Sequence, residues 1–137
     1  MAATIRKLGY YSMKVPNRAG AGAKLLDALR LEGVNLLAFT GFPVSGGAQV
    51  DFVPQDNAKF VKAARKAKLR ISSRKTVFLA QGEDRAGALT QIFGKLAKAR
   101  INVVAVNAVS AGKRRYGAMF WVRPKDVAKA SRLLRAR

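Results

Sequence analysis

Two short polar turns hold the residues of this sequence that are best suited to binding a small molecule. Residues 17–20 read Asn-Arg-Ala-Gly and residues 84–87 read Asp-Arg-Ala-Gly, and each turn precedes apolar residues at helical spacing. Free backbone N–H groups at the start of a helix, together with its dipole, favour a carboxylate or another anion. Glycine lets such a ligand approach the backbone closely. The candidate ligand-binding residues of the turns are Asn17, Arg18, Gly20, Asp84, Arg85 and Gly87.

An asparagine follows each turn at the same distance along the chain. Asn35 follows Asn17 with the same spacing that separates Asn102 from Asp84. We expect each of these asparagines, at the start of the next strand, to return beside its turn and to offer a donor and an acceptor. The carboxylate of Asp84 suits an ammonium group, whereas Asn17 offers both kinds of partner. This mixture fits a zwitterionic amino acid, and the difference between the turns predicts unequal affinities.

Each candidate residue also has a purely structural interpretation. Asn17 and Asp84 are good helix N-cap residues, whose side chains bond to the first backbone N–H groups of a helix. Gly20 and Gly87 can serve close packing of a helix against a strand. The two asparagines can satisfy the backbone of a loop. Sequence alone leaves the ligand-binding and the structural interpretation open.

The paired turns belong to an internal duplication of the chain. Segment 17–39 aligns with segment 84–106 without a gap, and seven of the 23 pairs are identical. Further along, the second copy contains extra residues, which fall within 110–115, where a hairpin loop can absorb them. We therefore expect two repeats, which comprise residues 1–70 and 71–137.

The periodicity of apolar residues predicts the same order of elements in both repeats. Each begins with a strand that enters the turn, and continues with a helix, two strands joined by a hairpin, and a second helix. Asp56 and Asp126 are expected to open the second helices as N-cap residues. A fourth strand is predicted over residues 69–73 of the first repeat. The order is βαββαβ, which predicts an α+β fold of two ferredoxin-like repeats.

The second repeat reaches the end of its second helix at Arg137 and shows no fourth strand of its own. When the alignment is continued backwards, residues 3–7 fall opposite residues 70–74. An open sheet edge is a liability for a folded protein, because it exposes unpaired backbone groups. We therefore expect the N-terminal segment to supply the last strand of the second repeat.

The repeated order of elements, the [Asn/Asp]-Arg-Ala-Gly turns and the asparagine beyond each first helix together resemble the ACT domain family. The resemblance covers essentially the whole chain, with Ala19 and Ala86 standing where the family typically has proline. It implies a regulatory module that binds a small ligand, usually an amino acid, at the turns where copies or subunits meet. It also implies a homodimer that regulates another molecule in trans.

The charge balance of the chain is strongly basic. Twenty-seven Lys and Arg face seven Asp and Glu, for a formal net charge of +20. Such a balance favours nucleic acid or an acidic protein as a partner. The RNA-recognition domain shares the βαββαβ order and stacks bases on strand aromatics. The alternative function is therefore nucleic-acid binding, with Arg114, Arg115, Tyr116 and Trp121 as the candidate residues.

Several kinds of chemistry are excluded by composition. Cysteine and histidine are absent, which excludes disulfides, thiolate nucleophiles, Cys/His zinc sites and histidine acid–base catalysis. The seven carboxylates are scattered along the chain, so we expect no enzyme activity, no metal and no cofactor. No stretch approaches the roughly 18 apolar residues of a membrane span, and the N-terminus lacks the apolar core of a signal peptide. We expect a soluble, cytoplasmic protein without a membrane partner.

Overall fold

The computed structural model describes residues 3–137, which form an α+β fold. The strands and helices follow one another in the order that the duplication predicts. They are β1 (Thr4–Val15), α1 (Ala21–Leu31), β2 (Leu36–Val44), β3 (Gly47–Pro54), α2 (Asn57–Lys66), β4 (Lys75–Glu83), α3 (Thr90–Lys98), β5 (Val103–Ser110), β6 (Arg115–Val122) and α4 (Val127–Leu134). A 3₁₀ turn over Pro124–Asp126 leads into α4. The two ferredoxin-like repeats are thereby confirmed.

The chain divides into two compact units. The first unit is Gly9–Lys75, and the second combines the chain up to Leu8 with Thr76–Arg137. The N-terminal segment therefore folds with the second repeat, as the alignment predicts. The backbone N–H of Arg137 donates to the carbonyl of Ile5 at 3.1 Å, and the N–H of Lys7 donates to the carbonyl of Arg137 at 2.9 Å.

The first unit packs its helices on a sheet with the strand order β2-β3-β1. Both pairs are antiparallel, and Tyr11 of β1 stands opposite Phe52 of β3. Phe60 of α2 lies with its ring centre 4.9 Å from that of Tyr11 and 5.1 Å from that of Phe52. The aromatic cluster and the buried Leu25 and Leu29 of α1 form the core of this unit.

The second unit has the strand order β1-β4-β6-β5, with the N-terminal part of β1 at one edge. Phe78 of β4 is paired with Phe120 of β6, and their rings stack with centres 5.4 Å apart. Ile5 of β1 joins these rings and the buried Ile92 and Leu96 of α3 in one core. An isoleucine from the start of the chain thus completes the core of the second repeat.

The prediction of a fourth strand over residues 69–73 is wrong. The segment lies beside β1, where the N–H of Ser72 donates to the carbonyl of Ser12 at 2.8 Å. The return bond from the N–H of Ser12 goes to the hydroxyl of Ser72 at 2.9 Å, and that hydroxyl donates to the carbonyl of Ser73 at 2.8 Å. A side-chain hydroxyl thus replaces the backbone carbonyl, which interrupts the strand ladder.

The first helix of each repeat begins later than the capping interpretation predicts. Helix α1 follows Gly20, and α3 follows Leu89, so neither Asn17 nor Asp84 is the N-cap residue. Tight turns occupy the intervening residues. One of them is closed by a hydrogen bond from the N–H of Thr90 to the carbonyl of Gly87 at 2.9 Å.

The second helices of the two repeats begin differently. Asp56 caps α2, as predicted, because its carboxylate accepts a bond from the N–H of Lys59 at 3.0 Å. Asp126 also stands at the N-cap position of α4, but its side chain makes no capping bond. The 3₁₀ turn that contains Asp126 supplies the start of α4 with a different geometry.

All four α-helices of the described residues end in the same motif. A residue with positive φ follows the helix, and the next N–H donates back to a carbonyl five residues earlier. This pattern is the Schellman motif, in which glycine is the residue favoured at the left-handed position. The left-handed residues are Gly33 after α1, Lys68 after α2, Arg100 after α3 and Arg135 after α4.

Candidate functional site

The turn of the second unit lies against the far end of β5. The N–H of Asp84 donates to the carbonyl of Arg114 at 2.8 Å, which fixes the turn to the β5–β6 hairpin. The carboxylate of Asp84 accepts a hydrogen bond from the hydroxyl of Ser110 at 2.8 Å. Its other oxygen stays available for a second donor. The turn and the end of β5 are thus held together by both backbone and side chains.

A cleft of about 340 Å³ opens between this turn and β5. Its polar wall contains a carboxylate, a guanidinium and three hydroxyl-bearing side chains, and its apolar wall comes from Leu89 and Val109. The structure therefore brings three of the predicted residues, Asp84, Arg85 and Gly87, into one cleft. The complete lining is Asp84, Arg85, Gly87, Ala88, Leu89, Thr90, Ala108, Val109, Ser110 and Tyr116.

Gly87 is required by the geometry of this turn. Its φ of 72° lies in the left-handed region, and a Cβ there would lie 3.3 Å from the hydroxyl oxygen of Thr90. A side chain at this position would strain the backbone and crowd the cleft. The glycine thus keeps the start of α3 open on the side that faces the cleft.

The turn of the first unit shares a glycine with positive φ. Among the described residues it has no side-chain hydrogen bond like that between Ser110 and Asp84. Gly20 adopts φ 89°, and a Cβ there would meet nothing within 4 Å. Asn17 and Arg18 are exposed, and the N–H of Arg18 donates to the carbonyl of Pro16 at 3.0 Å. The turn presents its predicted residues to solvent on an open surface.

The two asparagines do not return beside the turns, which corrects that expectation. Helix α1 has 11 residues, so about 16 Å of helix separates Gly20 from the start of β2. Asn35 instead donates from its side-chain amide to the side-chain oxygen of Gln55 at 3.0 Å, and the backbone carbonyl of Asn35 accepts from the backbone N–H of Gln55 at 2.9 Å. Asn102 is exposed at the corresponding end of the second unit, beyond α3.

The separation follows from the order of the elements. A helix that runs back along the strands of a sheet carries the chain to their opposite end, so the next strand begins far from the turn. Asn35 consequently lines a different cleft, of about 740 Å³, together with Gln55, Asp56, Lys59 and Arg74. That cleft lies at the opposite end of the first unit from Gly20.

The aromatic residues proposed to stack on RNA are buried. Tyr116 is 7% exposed and Trp121 is 8% exposed, because β6 is an interior strand between β4 and β5. A base cannot stack on rings with so little accessible surface. Arg114 and Arg115 remain exposed in the β5–β6 hairpin. The structure therefore leaves the basic charge as the sole argument for nucleic acid and removes the stacking surface.

Tyr116 occupies an unusual position at the edge of the turn cleft. Its ring lies over Gly82, where a Cβ would come within 2.8 Å of a ring carbon. Its hydroxyl is buried and has no hydrogen-bond partner among residues 3–137. Burial raises the pKa of this hydroxyl above its ordinary value, and the charges of Arg115 and Arg85 partly lower it. The phenol therefore stays protonated at neutral pH and can donate a hydrogen bond.

Solved structures share this architecture over nearly the whole chain. The protein BT0572 of Bacteroides thetaiotaomicron superposes with a TM-score of 0.77 at 16% identity, covering 97% of this chain and 88% of that one. The ligand-free regulatory subunit of aspartate kinase from Thermus thermophilus gives a TM-score of 0.65 at 12% identity, with 98% and 95% covered. Aspartokinase alpha and beta subunits give 0.61 at 17% identity, with 98% and 95% covered.

The chain has an ACT-like fold. No protein-family model matches the sequence, and no curated protein matches it. The likeness is therefore one of architecture: two ferredoxin-like units, each with a polar turn before its first helix.

Two residues of the turn cleft are not predicted from the sequence. Thr90 and Ser110 line the turn cleft of the second unit, although Ser110 is distant from Asp84 along the chain. The end of β5 approaches the turn because β6 pairs with both β4 and β5. Nothing in the sequence indicates that a serine at the end of a strand will be brought to the turn by strand pairing.

Residues 3–137 lack the features of two other classes of site. No helix of this region is long and apolar enough to cross a membrane. The same residues contain no group of three or more acidic side chains that could hold a metal ion.

Proposed function

We propose that this protein is a non-catalytic regulatory protein that binds a small molecule, an amino acid, in the turn cleft of its second unit. The proposal is carried by the presence of Asp84, Arg85 and Ser110 together in the lining of one open cleft. A regulatory role is supported by the fold, which resembles regulatory subunits of aspartate kinase.

The cleft provides a partner for each end of an amino acid. The guanidinium of Arg85 suits the carboxylate, because it offers several donors in a planar array. The free oxygen of Asp84 suits the ammonium group, and the bond from Ser110 fixes the orientation of that carboxylate. Leu89 and Val109 provide an apolar wall for a side chain. The ligand is thus a zwitterion with a small or apolar side chain.

Regulation in this proposal acts through association of copies of the chain. Strand β5 is the edge of the second unit and exposes Val104 (56%), Val106 (42%) and Val109 (66%). Exposed, apolar edge strands favour pairing with another strand. A ligand bound against Val109 would change the surface that a second copy contacts, and thereby shift the population of dimers. We place this activity in the cytoplasm, in keeping with the absence of cysteine.

Calorimetric titration with single amino acids tests the site. Wild-type protein is expected to bind one or a few related amino acids, and Asp84→Asn is expected to weaken binding by about 1.5–3 kcal/mol, since a charged hydrogen bond is lost. Asp27→Asn is the matched control, because Asp27 is an exposed carboxylate of α1 that pairs with Arg30. Equal affinities of Asp84→Asn and Asp27→Asn would remove Asp84 from the site.

A further inference from the structure

The second unit contains a second, larger cavity of about 700 Å³. It lies between the end of β4, the helices α3 and α4, and the N-terminal part of β1. Arg85 and Tyr116 form part of the wall that separates it from the turn cleft, since both residues line both spaces.

The charges around this cavity are strongly unbalanced. The side chains of its lining include four cations and one acidic group, that of Glu83. The ion pairs of the described residues involve none of these four cations. Cations gathered around one space repel each other, and a bound anion relieves that repulsion. The cationic residues are Arg85, Lys95, Arg135 and Arg137.

The fold holds these cations in place from several directions. Gln91 and Lys95 lie four residues apart in α3, so their side chains share one face of that helix. Arg135 has φ 53° in the motif that ends α4. Arg137 is then tied to β1 by the two backbone bonds to Ile5 and Lys7. Backbone hydrogen bonds thus fix the main chain of both arginines at the cavity wall, while their side chains are exposed.

A buried hydroxyl adds a neutral donor to the same wall. Tyr116 is 7% exposed and lines the cavity, and its hydroxyl has no hydrogen-bond partner in the part of the chain that the structure describes. An unpaired hydroxyl in a protein interior is costly. Gly82, which also lines the cavity, has no side chain to cover the ring. The hydroxyl itself is buried, so an anion at this wall accepts its hydrogen bond only after a small movement of the ring or of the wall.

The duplication provides an internal comparison, because the first repeat lacks part of this set. In the alignment of the two repeats, Lys95 corresponds to Ala28 and Tyr116 to Gly46, whereas Arg85 and Arg135 correspond to the basic Arg18 and Arg65. The Arg-Ala-Gly turn, in contrast, is present in both repeats. The combination of Lys95 with Tyr116 at this cavity is therefore a feature of the second repeat and not a requirement of the shared fold.

We propose that this cavity binds a small multivalent anion, either a phosphorylated metabolite or a polycarboxylate. Arginine side chains bind phosphate and carboxylate oxygens in pairs, and lysine adds a point charge. A zwitterionic amino acid carries no net charge and would leave most of the cations unneutralised. The cavity is thus a second ligand site, and its existence does not depend on amino-acid binding in the turn cleft.

The test is calorimetric titration of the full chain, freed of nucleic acid, with inorganic pyrophosphate and separately with citrate at about 150 mM KCl. We expect saturable binding at one site per chain, weakened about tenfold or more in Arg135→Gly. Arg100→Gly is the matched control, because Arg100 has the same left-handed conformation at the end of α3 but does not line the cavity. Both variants introduce the residue that this backbone favours.

Two additional variants separate the proposal from simpler explanations. Tyr116→Phe should raise the thermal midpoint of the free protein, by removing the unpaired hydroxyl, and should weaken pyrophosphate or citrate binding. Ser110→Ala changes the turn cleft alone and should leave anion binding unchanged. Stronger binding of pyrophosphate assigns a phosphorylated ligand, and stronger binding of citrate assigns a polycarboxylate. Equal loss in Arg135→Gly and Arg100→Gly, or no saturable binding of either anion, would overturn the proposal.

Discussion

At the scale of single residues, Gly87 determines whether the turn cleft can exist. We expect Gly87→Val to destabilise the protein by about 1–2 kcal/mol, because a branched side chain would have to adopt a left-handed conformation. We also expect the response to an amino acid to be lost. Urea denaturation and calorimetry measure the two effects.

A second glycine provides the control for this substitution. Gly94 lies inside α3, and a Cβ there would meet nothing within 4 Å. Gly94→Ala should therefore stabilise the protein by up to about 1 kcal/mol through helix propensity, and should leave binding intact. If Gly87→Val retained the full amino-acid response, the turn would not contact the ligand.

The residue scale also shows where sequence reasoning about the site succeeds and where it fails. Repetition identifies the turns, and the structure places Asp84, Arg85 and Gly87 in one cleft. The equal spacing of Asn35 and Asn102 from the turns leads to the prediction that they join the same site. Equal spacing does not show at which end of a helix a residue lies, and both asparagines lie at the far end. Ser110 escapes detection, since its contact with Asp84 depends on strand pairing.

At the scale of elements, the helix ends make a testable contrast between the repeats. Arg100 and Gly33 hold the same left-handed position after α3 and α1, with φ 58° and 72°. We expect Arg100→Gly to stabilise the protein by about 1 kcal/mol and Gly33→Ala to destabilise it by a similar amount. Urea denaturation of both variants measures these changes.

Unchanged stability in both variants would mean that the helix ends do not hold this conformation in solution. The sequence indicates a C-cap only where glycine stands. The same motif at Lys68, Arg100 and Arg135 could not be predicted, because these residues adopt positive φ only when the surrounding hydrogen bonds demand it. The interruption of the predicted fourth strand by the hydroxyl of Ser72 has a similarly local cause.

At the scale of the whole molecule, the N-terminal segment stabilises the repeat that is distant from it in sequence. Ile5→Ala removes a core side chain of the second unit and should cost about 2–4 kcal/mol. In Ile5→Ala, hydrogen exchange of the amides in β4 and β6 should accelerate relative to the wild-type protein more than exchange of the amides in β3. Val50→Ala, in the core of the first unit, should show the converse pattern. Equal loss of protection in β3 and β6 for Ile5→Ala would contradict this assignment.

This arrangement is predictable because the duplication makes a missing element visible. Alignment of the repeats shows that the second one lacks a strand, and residues 3–7 are the segment left over. The cationic cavity could not be predicted in the same way. Its residues come from β1, β4, α3, β6 and the end of the chain, so no continuous segment carries its pattern.

The central claim is that the second unit binds an amino acid. It is tested most directly by thermal unfolding of nucleic-acid-free protein with a panel of single amino acids at about 150 mM salt. A ligand at about 100 times its dissociation constant should stabilise the protein by about 2.7 kcal/mol, which raises the midpoint visibly. We expect a shift with one or a few related amino acids. An unchanged midpoint across the whole panel would contradict the claim.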